Sequence, residues 1–254
     1  MTSVYDSERL ARGYAFDRPP VHAQILKSAR LGGRARRALD VGCGAGVSTA
    51  ALAPLAERVV GVEPIATMLA HRRKVAPGAG FVTGSAENLP FASSSFDLIA
   101  AAGSLNYTDL PSALAEIARV LTPEGTLLVY DFSEGRKSLT DHALATWFES
   151  FEQRFPWPPG WRPMVVGELP LSSSGLRLRA YTDLEVPLPM TCDAYLRYVT
   201  HEINVDGAVT RGADSAEEAH DWCRRTLRKI FGDDEQTVVF RGYLATLTCL
   251  HLSE

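Results

Sequence analysis

Residues 38–46 read Ala38-Leu39-Asp40-Val41-Gly42-Cys43-Gly44-Ala45-Gly46. A short apolar run ends in a loop with glycines at 42, 44 and 46, and a helical pattern follows with Val47, Ala51 and Leu55 on one face. Glycine is needed where the backbone turns with positive φ, or where a ligand must approach the main chain closely. The loop opens a helix whose first N–H groups have no partner within it, so they can face a polar ligand. Asp40 stands inside the motif, able to accept hydrogen bonds from a cationic or amino-bearing group. A dinucleotide fingerprint requires glycines at 42, 44 and 47. Position 47 is Val, and the third glycine comes one residue early, at Gly46.

Outward from this loop, short apolar runs alternate with helical patterns. Strands are expected at 38–42, 58–62, 81–82, 96–101 and 126–130, with helices over 46–57, 65–74 and 111–121. Pro54 predicts a kink or an early end in the first of these helices, and Pro111 suits the first turn of the third. Alternation of this kind indicates βαβ units and a parallel sheet covered by helices on both faces. After Asp131 the rhythm changes. A helix is expected over 139–155, then an irregular stretch, Phe155–Pro170, with five prolines and two tryptophans, Trp157 and Trp161. A strand near 176–187, a helix near 191–203, a helix opened by the capping box Ser215-Ala216-Glu217-Glu218, and a last strand over 237–250 complete the chain.

Composition narrows the function classes. Hydrophobic residues make up 46 % and charged residues 22 % of 254, ordinary values for a globular enzyme. The expectation is one domain over 1–254: an N-terminal lid segment 1–30, a ligand-binding core 31–135, a substrate-covering insertion 136–235 and a last strand 236–254. No apolar run reaches the roughly 18 residues that a membrane helix needs, and Met1–Asp6 lacks a signal-peptide layout. A cytoplasmic protein without a membrane partner is therefore expected. Net charge is −4, and the one local basic cluster, Arg34, Arg36 and Arg37, reads as a solvated loop face, so no nucleic-acid partner is expected. The four cysteines are scattered without a Cys-x-x-Cys pair, which predicts no metal site and reduced thiols. Cys43 reads as a small packing residue, since no His or Lys lies within three positions to activate it. Oligomeric state is not legible.

Open α/β sheets bind ligands beyond the C-terminal ends of their strands. Glu63 ends the second strand, in Gly61-Val62-Glu63-Pro64, about 20 residues after the first motif, where an acid can accept hydrogen bonds from ribose hydroxyls. The competing reading is that Glu63 caps the helix that begins at Pro64.

Further motifs stand in order: Ser85-Ala86-Glu87-Asn88-Leu89-Pro90-Phe91, Ser95-Phe96-Asp97-Leu98-Ile99 and Arg119-Val120-Leu121-Thr122-Pro123-Glu124-Gly125. With the glycine loop and Glu63, they make residues 38–131 similar to the class I S-adenosylmethionine-dependent methyltransferases. The resemblance is to small-molecule enzymes of the kind found in quinone biosynthesis and natural-product tailoring. The resemblance implies a doubly wound, seven-stranded, Rossmann-like α/β sheet with an antiparallel last strand and a lid or insertion. It implies S-adenosylmethionine as cofactor and a small-molecule acceptor. Its sulfonium is expected near Gly42–Gly44, its ribose on Glu63, and its adenine near Ala86 and Glu87, although Glu87 can equally be a surface-turn acid. Asp40, Cys43, Gly46, Pro64, Met68, Ser85 and Ala102 complete the implied cofactor wall. Tyr14 and Arg18, in a segment resembling the family lid, are candidates for the methionine carboxylate, which Arg suits by its bidentate geometry; the alternative is a surface turn fixed by Pro19 and Pro20.

A base is needed only if the acceptor must lose a proton. His22, Tyr107, His142, Tyr198 and His201 are the candidates, with His201 in a predicted helix of the covering insertion. Many relatives carry His-Trp where this chain has Asn106-Tyr107, so that base is absent, and Asn106 is left to orient a substrate by hydrogen bonding. The aromatic residues of 147–161 either line an acceptor site or form a lid core. The acceptor atom, O, N or C, is not legible. Two rival functions are a relative that binds S-adenosylmethionine without methylating, and an NAD-dependent oxidoreductase, against which Val47 counts.

Overall fold

A computed structural model describes residues 5–139, 142–158 and 162–250. The first four positions and Trp161 lie outside the described residues. Two helices, α1 (Glu8–Phe16) and α2 (Val21–Leu26), precede the first strand, β1 (Ala35–Val41). The glycine loop leads into α3 (Val47–Leu52), and a 3-10 turn over Ala53–Leu55 follows. Pro54 lacks the N–H that would continue the α-helix, so the helix ends early there, well short of the expected residue 57. Next come β2 (Ala56–Glu63), a 3-10 turn Met68–His71, α4 (Arg72–Val75) and β3 (Gly80–Thr83). The helix expected over 65–74 is thus only a 3-10 turn and one short helix.

β4 (Phe96–Ala102), α5 (Leu110–Val120) and β5 (Leu121–Phe132) complete the parallel half. Asp109 caps α5 by accepting from the Ser112 N–H, and Pro111 occupies its first turn. The second half holds a two-residue β6 (Lys137–Ser138), α6 (Ala143–Arg154), β7 (Leu176–Met190), α7 (Cys192–Thr200), α8 (Ile203–Thr210), α9 (Ala216–Phe231) and β8 (Gln236–Cys249). The capping box at Ser215 and Glu218 is formed in full and starts α9.

Strands run in the order β3-β2-β1-β4-β5-β8, with β7 and the short β6 both paired to β8. β1 to β5 are mutually parallel, and β8 is antiparallel to β5 and to β7. The segment 136–235 is therefore no mere insertion, since it supplies two strands of the sheet. Residue parity separates the two faces. Leu98, Ala100, Leu128 and Tyr130 join one apolar cluster with α2, α6, α7 and α9. Ile99, Ala101, Leu127 and Val129 join the other with Ala113, Leu114 and Ile117 of α5. Strands buried on both faces read as continuous apolar runs, which is why they were visible in the sequence. Trp147, Phe148, Phe151 and Phe155 are all buried in the first cluster, so of the two readings of this aromatic stretch the lid core holds for them.

Among the described residues, no helix is long and apolar enough to cross a membrane.

Candidate active site

The C-terminal ends of β1, β2, β4 and β5 open into a cavity of about 590 Å³. The glycine loop forms one wall. Gly42, Gly44 and Gly46 have φ of 68°, 52° and 94°, values that L side chains rarely adopt. At Gly42 an added Cβ would lie 2.4 Å from Ser104 Cβ, while Ser104 Oγ donates to the Val41 carbonyl at 2.6 Å. The first glycine thus lets the turns after β1 and β4 touch. Gly46 is the N-cap of α3 and faces Phe81 instead of the cavity. Its role is to turn the loop, a correction to its expected place on the cofactor wall.

Asp40 also leaves the wall. It is fully buried under the loop, where its Oδ2 accepts from Ser48 Oγ and Thr49 Oγ1, both at 2.6 Å. Two hydroxyls from the first turn of α3 hold it there, so it fastens helix to strand. Its Oδ1 is buried with no hydrogen-bond partner among the described residues. Burial pushes this carboxyl up to about 6 despite the two hydroxyl donors.

Glu63 lines the cavity and is also a tie within the protein. Its Oε2 accepts from Gly44 N–H at 2.9 Å and its Oε1 from Ile65 N–H at 3.1 Å. The capping reading is seen in these two bonds, and a carboxylate has about four acceptor sites, so two remain for a ligand. Burial raises its pKa. Pro64, Met68, Ser85, Ala86, Glu87 and Ala102 line the same cavity, and Glu87 Oε1 also accepts from Asp109 N–H at 3.0 Å. Cys43 lines it too, but burial drives its thiol far above the ordinary range, which leaves it protonated and unreactive.

The N-terminal segment roofs the cavity. Arg9 pairs with Asp206 at 2.6 Å, and Thr67 Oγ1 donates to Asp6, so the segment is tied to α8 on one side and to the turn after β2 on the other. Tyr14 and Arg18 line the cavity, yet Arg18 is not free for a carboxylate of a ligand. Its guanidinium meets both oxygens of Glu202, at 2.6 and 3.3 Å, and stacks 3.8 Å from the Tyr14 ring centre.

The base candidates divide. His22 lines the cavity with Nδ1 3.2 Å from the Tyr130 hydroxyl, but burial pushes its pKa down to about 3, too weak to accept a proton efficiently near neutrality. Asn106, Tyr107 and Tyr198 line it as well, with Tyr107 Oη accepting from the Tyr5 hydroxyl at 2.7 Å. Burial raises the Tyr198 phenol well above its ordinary pKa. His201 does not line the cavity. Its Nδ1 lies 2.8 Å from the Arg197 carbonyl and 3.3 Å from Asp17, and its ring packs where a side chain on Gly13 would stand. It is a docking point for α1, which corrects its candidacy. His142 stands at the N-cap position of α6 and is likewise off the cavity.

Sequence reasoning missed Tyr5, Asp131, Glu134 and Glu202, all of which line the cavity. Asp131 had a usable signal, since it stands near the end of β5 where the same strand-end rule applied to Glu63. Glu202 had none, because its approach depends on how α7 and α8 fold back over the sheet.

Residues 39–129 match a family described as a methyltransferase domain. Over this segment the chain is similar to methyltransferase domains. The phthiotriol/phenolphthiotriol dimycocerosates methyltransferase of Mycobacterium leprae is 38 % identical over 107 residues, which cover 40 % of this chain and 40 % of that protein. The aligned part is thus about two fifths of such a relative. A solved structure described as a putative type II methyltransferase from Anaeromyxobacter dehalogenans shares the fold, with a TM-score of 0.63, 21 % identity, and coverage of 91 % of this chain and 96 % of that one. So does the Haemonchus contortus phospholethanolamine N-methyltransferase 2, solved with S-adenosylhomocysteine, at a TM-score of 0.59 and 17 % identity over 99 % of this chain and 61 % of that one.

S-adenosylmethionine is the cofactor that a methyltransferase domain implies, and the residues present fit it. An acid stands at the end of β2 for a diol, and Met68, Ile65 and Ala86 give apolar surface beside it. At Gly44 an added Cβ would stand 3.4 Å from Met68 Cε, so the missing side chain leaves the loop's inner surface open.

Proposed function

We propose that this chain transfers the methyl group of S-adenosylmethionine to a small organic acceptor. The observation that carries the reading is one continuous cavity. It joins the glycine loop, Glu63 and Ala86 on the cofactor side to Tyr14, Arg18, Trp157, Tyr198 and Glu202 beneath the N-terminal segment. Bound there, the cofactor supplies an activated methyl on a sulfonium, so positioning accounts for much of the rate. Glu63 would hold the ribose diol and Met68 would pack on the purine. Tyr5, Tyr14 and the ion pairs of the N-terminal segment would keep water from the reacting centre. A roofed cavity of this size favours a small molecule over a macromolecular acceptor.

The test is calorimetric titration with S-adenosylmethionine, S-adenosylhomocysteine and NAD in parallel. Binding of the first two and not of NAD is expected, followed by a mass gain of one methyl on an acceptor. Binding of NAD alone, or of none of the three, overturns the reading. Cofactor binding with no methylated product over a broad acceptor screen would favour a non-methylating relative.

A further inference from the structure

The acceptor end of the cavity has an unbalanced set of charges. Arg18 is matched by Glu202 at 2.6 Å. Arg136, just behind the wall, is matched twice, by Glu134 at 2.8 Å and Glu152 at 3.0 Å. Asp131 lines the cavity and has no cationic partner within 4.0 Å among the described residues. Its Oδ1 accepts from the Phe132 N–H at 2.8 Å, and no described residue donates to its Oδ2. Asn106 belongs to the same wall, with its Oδ1 turned inward, out of contact with the cavity, and without a partner among the described residues.

Position ties Asp131 to the glycine loop. Ala102 pairs with Tyr130 across β4 and β5, so Gly103 and Asp131 follow side by side. Gly103 has a φ of 60°, and a Cβ there would stand 2.8 Å from Asp131 Oδ1. Ser104, next in the chain, packs on Gly42 of the glycine loop. Asp131 therefore stands close to the loop on which the methyl donor is expected. Burial pushes its carboxyl up to about 6, so it is ionised at neutral pH and basic enough to receive a proton.

An acceptor oxygen open to the cavity favours a ligand that brings a donor, and a carboxylate with no cation in contact favours one that brings positive charge. A protonated amine brings both. A carboxylate or phosphate at this end would face Asp131, Glu134 and Glu202 with both arginines already engaged. Tyr14, Tyr198, Phe132 and Trp157 line the rest, a surface that suits an apolar body and the face-on approach of a cation.

We propose that the acceptor is an amine, and that Asp131 holds its ammonium group and receives the proton it must lose. This rests on the methyl-transfer reading above. The ammonium gives one proton to the Asp131 carboxylate, which frees the nitrogen lone pair. The N–C bond forms as the S–C bond breaks, and its electron pair stays on sulfur. The products are the methylated ammonium, S-adenosylhomocysteine and a protonated Asp131 that returns its proton to solvent.

The experiment uses the full chain saturated with S-adenosylhomocysteine. It is titrated with arylalkylamines from benzylamine to tryptamine, then with 2-phenylethanol and 3-phenylpropanoate. The amines should bind at least about tenfold tighter than the alcohol and the acid. Asp131→Asn should remove that preference with S-adenosylhomocysteine affinity unchanged, while Asp131→Glu, which keeps the charge, should retain it. With labelled S-adenosylmethionine, the label should appear on nitrogen. The proposal is overturned if no amine is preferred, or if Asp131→Asn leaves the preference intact. Loss of S-adenosylhomocysteine binding in Asp131→Asn also overturns it, since Asp131 would then serve the cofactor's own ammonium. Failure of the unaltered chain to bind S-adenosylhomocysteine would instead refute the methyl-transfer reading.

Discussion

Arg18 and Glu202 stand 184 residues apart in sequence, yet the guanidinium of one meets both carboxylate oxygens of the other. The pair joins the N-terminal segment to the start of α8 across the mouth of the cavity. Both side chains are largely buried, at 10 % and 5 % exposure, so neither charge has water to fall back on. Removing one partner would leave the other charged and desolvated, which typically costs about 3–5 kcal/mol. Glu202→Gln should lower the melting temperature clearly and speed proteolysis of the N-terminal segment. An unchanged melting temperature would show that the pair contributes little.

Glu63 is both a ligand candidate and the acceptor for the Gly44 and Ile65 amides. Glu63→Ala should weaken binding of S-adenosylhomocysteine at least tenfold, about 1.4 kcal/mol or more. Calorimetry reads this directly. Because the side chain also ties the loop, Glu63→Gln should retain the fold, since its amide oxygen can still accept. Unaltered affinity in both variants would remove Glu63 from the site.

Asp40 makes stability depend on pH in an unusual direction for a carboxylate. Its folded pKa is raised to about 6, above an unfolded value of about 3.9. Folding therefore favours the protonated form. The stability it contributes is present below about pH 4 and is lost as pH rises through about 6, with an upper bound of about 3 kcal/mol. Asp40→Asn should flatten this part of the profile, so the variant compares better with the parent at pH 8 than at pH 4. Parallel profiles in thermal melts from pH 4 to 8 would contradict this.

His22 is half-buried and packs edge-on against Tyr130 and Phe132, and desolvation lowers its pKa to about 3. Its ring should stay neutral from pH 5 to 8, and its NMR resonances should not titrate in that range. His22→Gln should leave any pH inflection of turnover in place. A His22 midpoint near 6 would restore it as a candidate base.

Much of the parallel half could be read from the chain alone. The strands of Leu39, Ile99 and Leu127 are covered on both faces, so their neighbours are apolar as well and the runs stand out. The glycine loop was legible because positive φ selects glycine, and Glu63 because a strand end exposes its side chain to ligand. Helix ends were less legible, as at Pro54, where the α-helix gives way to a 3-10 turn.

What the sequence by itself determined is thus the local chemistry: an α/β core, a glycine loop after β1 and an acid after β2. These follow from short-range rules of backbone geometry and periodicity. Tertiary structure alone decided which polar groups face the cavity. Asp40 and Gly46, inside the motif, are turned away from it, and His201 is covered by α1. Asp131 and Glu134, at and just after the end of β5, and Glu202, just before α8, converge on it. A side chain's direction and its partners depend on the packing of elements far apart in sequence, and so does the charge left unbalanced at Asp131.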